Sequence, residues 1–252
     1  MLPHLFIHWH SMITDALNPL IDLNNNVIVW LDTFSQVSPS FNRLVFFVSL
    51  SPLMKGIPVM GLIWYFWFRD TDNSGRTRRV IVAGIIGCLF ALLLARTLNN
   101  MIVHPRPIAA PALHFLQPLG VHLIDPYEKW IQHSFPSDHA SLFFSLATII
   151  FILSRSAGIA AFAYISIAIC LPRMYLGLHY PADIIGGALL GIGCVLLFSS
   201  MPIWRLYANP INHAMQTHSA TFQSFMFVLS VEMCFLFDDI RNLLRGLWGF
   251  AG

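Results

Sequence analysis

Long apolar runs recur along this chain of 252 residues. Five of them lie at 44–68, 80–98, 139–154, 157–171 and 182–201. A helix needs about 20 apolar residues to cross roughly 30 Å of hydrocarbon, and these runs reach or approach that length. The two shortest are expected to be completed by neighbouring polar residues that a bundle of helices buries. The pattern therefore predicts an all-α, polytopic transmembrane helical bundle.

A sixth apolar run and the N-terminal segment are less regular. Residues 221–237 contain Glu232 and precede an amphipathic stretch, and a span is favoured here over an interfacial helix. Residues 1–40 combine prolines, asparagines and short apolar segments, which favours helices lying at the membrane interface. We therefore expect five to six spans after an interfacial N-terminal segment. Because no repeat or linker divides the chain, 1–252 is predicted to be a single membrane-embedded domain.

Composition agrees with a membrane protein. The chain is 56% hydrophobic and only 10% charged, and its mean hydropathy is +0.67. A net charge of +2 is too small, and the cations too scattered, for binding nucleic acid. The cysteines lie inside apolar runs without paired spacing, so we expect buried thiols rather than a metal cage or disulfides. They are Cys88, Cys170, Cys194 and Cys234.

The basic residues predict the orientation of the spans. Lys and Arg in short loops are retained on the cytoplasmic side of a membrane. If the runs alternate across the bilayer, the cytoplasmic side carries Arg69, Arg76, Arg78, Arg79, Arg155 and Arg205. The opposite side receives residues 99–138 and 172–181, which contain three polar clusters.

The first cluster is ARTLNNMIVHPRP, residues 95–107, in which Arg106 lies between Pro105 and Pro107. The prolines restrict the backbone around the arginine, and a guanidinium donates two parallel hydrogen bonds to a phosphate. The alternative is an interfacial arginine that meets lipid headgroups.

The second cluster is SFPSDHASLFF, residues 134–144. Ser137 is a good N-cap after Pro136, and the amides at the start of the helix would form an anion site. His139 would stand in the first turn, in position to donate a proton. The alternative is an ordinary capped membrane helix with an incidental histidine.

The third cluster is LPRMYLGLHYPAD, residues 171–183. Pro181 suits the first position of a helix, so His179 should precede that helix and Asp183 should lie in its first turn. The carboxylate can then bind one imidazole nitrogen and leave the other free as a nucleophile. Arg173 adds a cation. The alternative is an aromatic and basic interfacial belt, which leaves Asp183 unexplained.

Together the clusters place two arginines, two histidines, an aspartate and a helix N-terminus on one face. That set fits phosphoryl transfer through a phosphohistidine: the arginines hold the phosphate oxygens, His179 attacks and His139 protonates the leaving oxygen. Water then attacks the phosphohistidine, with His139 as base. The other histidines show no metal-ligand spacing, so neither a metal nor a cofactor is expected.

These residues resemble the motifs of the type 2 phosphatidic acid phosphatase superfamily. The third motif of that family is matched by Arg173, His179 and Asp183, and the first is half matched by Arg106 and Pro107. The motifs cover roughly residues 96–183. The resemblance implies a helical bundle with an extracytoplasmic or lumenal active site.

The second motif, usually Pro-Ser-Gly-His, appears as PSDH at residues 136–139. The resemblance implies a role for each matching residue. The roles are His179 as nucleophile, Asp183 as its partner, His139 as acid, and Arg106, Arg173 and Ser137 as phosphate contacts.

Two positions depart from the family pattern. Asn99 occupies the place of the usual lysine, so a phosphate-binding cation is missing there. Arg96, one helical turn earlier, or His104 could reach over, and we hypothesise that Arg96 substitutes. Asp138 replaces the glycine, and its carboxylate would repel a phosphate unless it is turned away or neutralised. Arg96, Asn99 and Asp138 are therefore further candidates for the phosphate site.

The stretch FPSDHAS is similar to that of bacterial undecaprenyl diphosphatases. This similarity predicts a phosphatase of the bacterial inner membrane that converts undecaprenyl diphosphate to undecaprenyl phosphate at the periplasmic or outer face. Its partners would be a lipid-linked phosphate substrate and membrane lipids, with no oligomeric state predicted. Alternatives are a phosphatase of phosphatidate-type lipids, a phosphotransferase to a lipid or glycan hydroxyl, and a transporter or scaffold that binds phospholipid without turnover.

Overall fold

Helices account for most of the fold in this computed structural model. It describes residues 21–69, 75–122, 129–238 and 240. Within these ranges the β-structure consists of one isolated parallel bridge, between His104 and His133. Residues 21–35 form α1. The helices that follow are α2 Pro39–Leu50, α3 Pro52–Lys55, α4 Ile57–Arg69, α5 Arg76–Met101, α6 Asp138–Leu153, α7 Arg155–Tyr164, α8 Leu171–Tyr175, α9 Pro181–Ser199, α10 Met201–Thr217 and α11 Ser219–Cys234.

Three helical stretches are long and apolar enough to cross a membrane. They are α5, α9 and the continuous helix Arg155–Tyr175, in which the π-helical turn Ile165–Cys170 joins α7 to α8. Helix α6 is also apolar but shorter. An all-α multi-pass membrane fold is therefore confirmed, and the count of five to six spans stays a prediction.

Several predicted segments differ from the observed helices. The run 44–68 is divided among α2, α3 and α4, with helix ends at Ser51 and Gly56. Pro52 accounts for the first break, because proline has no N–H to continue the hydrogen bonds of α2 and disfavours helix at the preceding residue. Helix α10 was not expected at all.

The predictions of a sixth span and of an interfacial N-terminal segment are not tested by the described residues. Helix α11 has 16 residues and overlaps most of the sixth apolar run, so whether it spans stays a prediction. Residues 1–20 of the expected interfacial segment lie outside the described residues.

Helix α6 forms the centre of the bundle. Its side chains Leu142, Phe143 and Leu146 are fully buried, and it packs against α5 and α9. Gly187 on α9 allows the close approach, because a Cβ there would lie 2.4 Å from the carbonyl oxygen of Ser137. The start of α6 is thus held directly against the first turns of α9.

We expect Gly187→Ala to destabilise the protein by about 1–3 kcal/mol, because the start of α6 must move to admit the methyl group. The measurement is the midpoint of thermal unfolding of the purified protein in detergent. Gly193→Ala on the same helix is the matched control, since a Cβ there meets no described atom within 4 Å. Equal midpoints for the two variants would show that the close approach is not tight.

Candidate active site

The three polar clusters meet at one end of the bundle. The backbone N–H of Ser137 at the start of α6 donates to the carbonyl of Asp183 in α9, at 3.1 Å. Near the end of α5, the side-chain amide of Asn99 donates to the carbonyl of Pro136 at 3.4 Å. Segments far apart in sequence therefore share one site.

A tight turn places His179 in this site. Helix α8 is followed by Gly177, whose φ of +66° lies in the left-handed region, and a Cβ there would meet Phe115 at 2.6 Å. The turn is closed by a hydrogen bond from the N–H of Leu178 to the carbonyl of Arg173, at 2.9 Å. His179 consequently points inward and is 1% exposed.

The two ring nitrogens of His179 have different neighbours. Nδ1 lies 3.1 Å from the carbonyl oxygen of Ser134 and 3.5 Å from Oδ2 of Asp183. Since both neighbours accept hydrogen bonds, they assign the ring proton to Nδ1. Nε2 then carries a lone pair and faces a guanidinium nitrogen of Arg106 at 3.3 Å. The predicted reach of Asp183 to the ring is present, while the Ser134 carbonyl lies nearer.

Asp183 is fully buried and is held by donors from two elements. Its Oδ2 accepts a hydrogen bond from the N–H of Tyr180 at 2.7 Å, which caps α9, and another from the hydroxyl of Ser134. Nδ1 of His104 lies 3.7 Å from Oδ1. Such donors stabilise a carboxylate away from water. The predicted start of α9 at Pro181, with Asp183 in its first turn, is confirmed.

Burial, and after it the charge of the Arg106 guanidinium, lower the pKa of His179 to about 4, while the Asp183 carboxylate opposes the shift. The imidazole is therefore neutral at pH 7, which is the form that can act as a nucleophile.

A second histidine and aspartate pair lies at the start of α6. Nδ1 of His139 lies 2.9 Å from Oδ1 of Asp138, and its Nε2 accepts a hydrogen bond from Arg173. The same Oδ1 accepts from the backbone N–H of His139 at 2.8 Å, and Arg96 Nε lies 3.9 Å from Oδ2. Asp138 is thus neutralised by its neighbours, which removes the repulsion expected from the sequence.

The phosphate-site candidates have varied contacts. Arg106 donates to the carbonyl of Leu178 at 2.7 Å. Arg173 is 8% exposed, and its Nε has no hydrogen-bond acceptor in the described part of the chain. Ser137 is the predicted N-cap of α6, since its hydroxyl accepts from the N–H of Ala140 at 3.3 Å.

The two residues near the departure from the family pattern contact the protein itself. Asn99 binds the backbone beside the second cluster. The guanidinium of Arg96 donates to the carbonyl of Leu236 at 2.7 Å, in addition to its contact with Asp138. Substitution of the missing lysine by Arg96 therefore stays a hypothesis.

Two residues of the site were not among the site residues predicted from the sequence. Ser134 lies in the quoted second cluster, but its carbonyl and hydroxyl contacts depend on the fold. Lys55 is buried beside the second pair, within reach of the charges of Arg173 and Asp138. A lone lysine within an apolar run was a signal that the sequence did contain.

The cysteines and metal ligands can be compared with expectation over the described residues. All four cysteines are free and buried, as predicted. Within the described ranges, no cluster of three or more His, Cys, Asp or Glu side chains is placed to hold a metal ion.

Residues 89–207 match the family model of the PAP2 superfamily. The chain carries a PAP2 superfamily domain. The matched stretch contains the three clusters and both histidine and aspartate pairs. With the spanning helices, this domain makes the protein a multi-pass membrane phosphatase, a phosphoric ester hydrolase.

Three known proteins are similar to this chain. "Bacitracin transport permease protein BcrC" of Bacillus licheniformis is 29% identical over 68% of this chain and 76% of its own. "Undecaprenyl-diphosphatase BcrC" of Bacillus subtilis (strain 168) is 23% identical over 70% of this chain and 82% of its own. The crystal structure of a transmembrane PAP2 type phosphatidylglycerolphosphate phosphatase from Bacillus subtilis covers 78% of this chain and 93% of its own, with a TM-score of 0.47 and 19% identity.

Proposed function

We propose that this protein hydrolyses the terminal phosphate of a lipid diphosphate, undecaprenyl diphosphate, through a phosphohistidine at His179. The observation that carries the proposal is the orientation of that ring. Its Nδ1 faces the Ser134 carbonyl and Asp183, and its Nε2 faces Arg106 at 3.3 Å. A neutral nucleophile beside a guanidinium is suited to attack a phosphoryl group whose oxygens the guanidinium holds.

In the first step, Nε2 of His179 attacks the terminal phosphorus, and the bond from phosphorus to the bridging oxygen breaks. Once Arg173 no longer donates to it, Nε2 of His139 takes up a proton from solvent and passes that proton to the bridging oxygen, so the lipid leaves as a monophosphate. Asp138 accepts the Nδ1–H of His139 and so stabilises the protonated ring. Arg173 releases His139 when its guanidinium turns to the phosphate oxygens.

In the second step, His139 accepts a proton from water, which attacks the phosphorus and breaks the bond to Nε2 of His179. The products are inorganic phosphate and the free imidazole. The Asp183 carboxylate stabilises the positive charge that the His179 ring carries while it is phosphorylated.

A lipid substrate is supported by an apolar groove beside the third cluster. The groove has a volume of about 390 Å³ and is formed by α1, α2 and the helix that ends in α8. Its wall includes Pro172 and Tyr175, the neighbours of Arg173, together with Trp30 and Phe41. A lipid chain in this groove would lie beside the helix that carries Arg173. The name of the Bacillus subtilis relative supports undecaprenyl diphosphate as the lipid.

The direction of the helices supports a periplasmic or outer site in a bacterial inner membrane. Arg76 begins α5 and Arg155 begins α7, at the ends of these helices that lie away from the site. Since basic loops stay in the cytoplasm, the site would face the opposite side. We further propose that 1–252 forms one membrane-embedded domain.

Phosphate release from four lipids tests the proposal: undecaprenyl diphosphate, undecaprenyl phosphate, phosphatidate and phosphatidylglycerol phosphate. We expect release to be fastest from the diphosphate and unchanged by EDTA, since protein side chains perform each step. Preference for a monophosphate would overturn the substrate assignment, and a requirement for a divalent ion would overturn the mechanism. Appearance of the terminal phosphate on a second lipid or on a glycan, without release of free phosphate, would instead indicate transfer.

A second candidate is binding or transport of a phosphorylated lipid without turnover. It is favoured by the name of the Bacillus licheniformis relative, a transport permease. The same assay separates the two functions. Retention of the lipid in purified protein, without phosphate release from any of the four lipids, would favour transport.

A further inference from the structure

Lys55 is a buried cation outside the three polar clusters. It ends the short helix α3, and its side chain is 7% exposed. Lysine is rarely buried unless its charge has a partner. Its position in the site therefore needs an explanation.

The backbone on either side of Lys55 is fixed by contacts with other helices. The carbonyl of Met54 accepts a hydrogen bond from the hydroxyl of Tyr164 on α7. Gly56 lies against α11, where an added Cβ would be 2.5 Å from Cβ of Cys234. The position of Lys55 between these two anchors is thus set by packing.

The charge of Lys55 acts on the His139 side of the site. Its electrostatic neighbours are Arg173, Asp138 and His139. The charges that act on His179, in contrast, are those of Arg106, Asp183 and Arg173. Lys55 therefore belongs to the group of charges around His139.

The Lys55 ammonium lacks an anionic partner of its own. Its side chain makes no hydrogen bond or salt bridge within the described ranges, and the opposite charge that acts on it, that of Asp138, is already bound by His139 and Arg96. The like charge of Arg173 acts on it. Buried cations repel each other, and an anion that both of them bind offsets the repulsion.

We propose that Lys55 binds the inner phosphate of the lipid diphosphate, the one that leaves with the lipid, and so selects diphosphates over monophosphates. The inference rests on the proposed function. With His179 attacking the terminal phosphorus from one side, the bridging oxygen points toward His139, and the inner phosphate lies beyond it. Lys55 carries one of the charges that act on His139 and would bind that phosphate. Its ammonium would also stabilise the charge that this phosphate gains as it leaves.

The test compares two substrates of the purified full-length protein in detergent. Farnesyl diphosphate carries an inner phosphate, and p-nitrophenyl phosphate does not. For Lys55→Met we expect kcat/KM to fall about 10- to 100-fold for farnesyl diphosphate, the effect of losing a charged hydrogen bond, and less than about 3-fold for p-nitrophenyl phosphate. Lys55→Arg should keep at least about half of the preference for the diphosphate, because it keeps the cation.

Two controls separate substrate binding from a structural role. Arg43→Met removes an exposed cation from the neighbouring helix α2 and should alter neither kcat/KM. The thermal midpoint of Lys55→Met should equal or exceed that of the wild type, because an apolar side chain is easier to bury than an ammonium.

Each other outcome counts against a particular idea. Equal losses with both substrates, or a lowered midpoint that Lys55→Arg restores, would overturn the inference in favour of a structural lysine. An undiminished rate with farnesyl diphosphate would overturn it directly. A wild-type protein that hydrolyses p-nitrophenyl phosphate but no diphosphate would overturn the proposed substrate first, and the role of Lys55 with it.

Discussion

His179→Ala should lower kcat for phosphate release from undecaprenyl diphosphate by at least about 10³-fold, leaving the protein folded and inserted. The size of the effect follows from the role of the ring. Without Nε2 no covalent intermediate can form, and water would have to attack directly among groups arranged for a different nucleophile. Because Ser134 and Asp183 would keep their contacts with each other, the surrounding turn should persist. The measurements are steady-state phosphate release and the thermal midpoint in detergent.

The matched control for this loss is His122→Ala. His122 is an exposed histidine in the loop that precedes the second cluster. A binding or transport protein without turnover would show similar, modest effects for the two variants. An active His179→Ala enzyme with the kinetics of the wild type would exclude the phosphohistidine.

The local features of the site that could be predicted from sequence were those set by neighbouring residues. Ser137 as the N-cap of α6 and Pro181 as the first residue of α9 follow from the preferences of serine and proline at helix starts. The spacing of four residues that separates His179 from Asp183 brings the pair together across the start of that helix. Apolar runs likewise predicted α5, α6 and α9, because a long hydrophobic stretch has few alternatives in a membrane.

Contacts between distant segments could not be predicted in the same way. The Ser134 carbonyl approaches His179 because α6 and α9 pack at the glycine Gly187, which no local pattern indicates. The neutralisation of Asp138 depends on Arg96, from a helix whose register against α6 is set by tertiary packing.

Lys55 was missed for a related reason. Hydropathy averages over a window, so one cation inside the run 44–68 barely changes the prediction of a span. The break at Pro52 and the packing of Gly56 against Cys234 fix the position of Lys55 in the bundle. A charged residue at odds with its apolar surroundings is thus worth testing as a functional one.

His139→Ala should slow turnover of undecaprenyl diphosphate by about 10²- to 10⁴-fold, the usual range for loss of a general acid and base. The two roles can be separated by the leaving group. Phosphatidate expels an alkoxide, which needs a proton, whereas p-nitrophenyl phosphate expels a stable phenolate. The variant should therefore phosphorylate His179 quickly with p-nitrophenyl phosphate but hydrolyse the intermediate slowly, because no base activates water.

The expected signature is a burst of about one p-nitrophenolate per enzyme, followed by slow release, with an acid-labile phosphoryl group left on the protein. Phosphatidate should give no burst. Adding His179→Ala to His139→Ala removes the acceptor and should abolish both the burst and the bound phosphate. The His139→Ala variant could instead lose activity equally with both substrates and show no burst. In that case the first step needs His139 for more than its proton, and the hydrogen bond between His139 and Arg173 serves to position the phosphate.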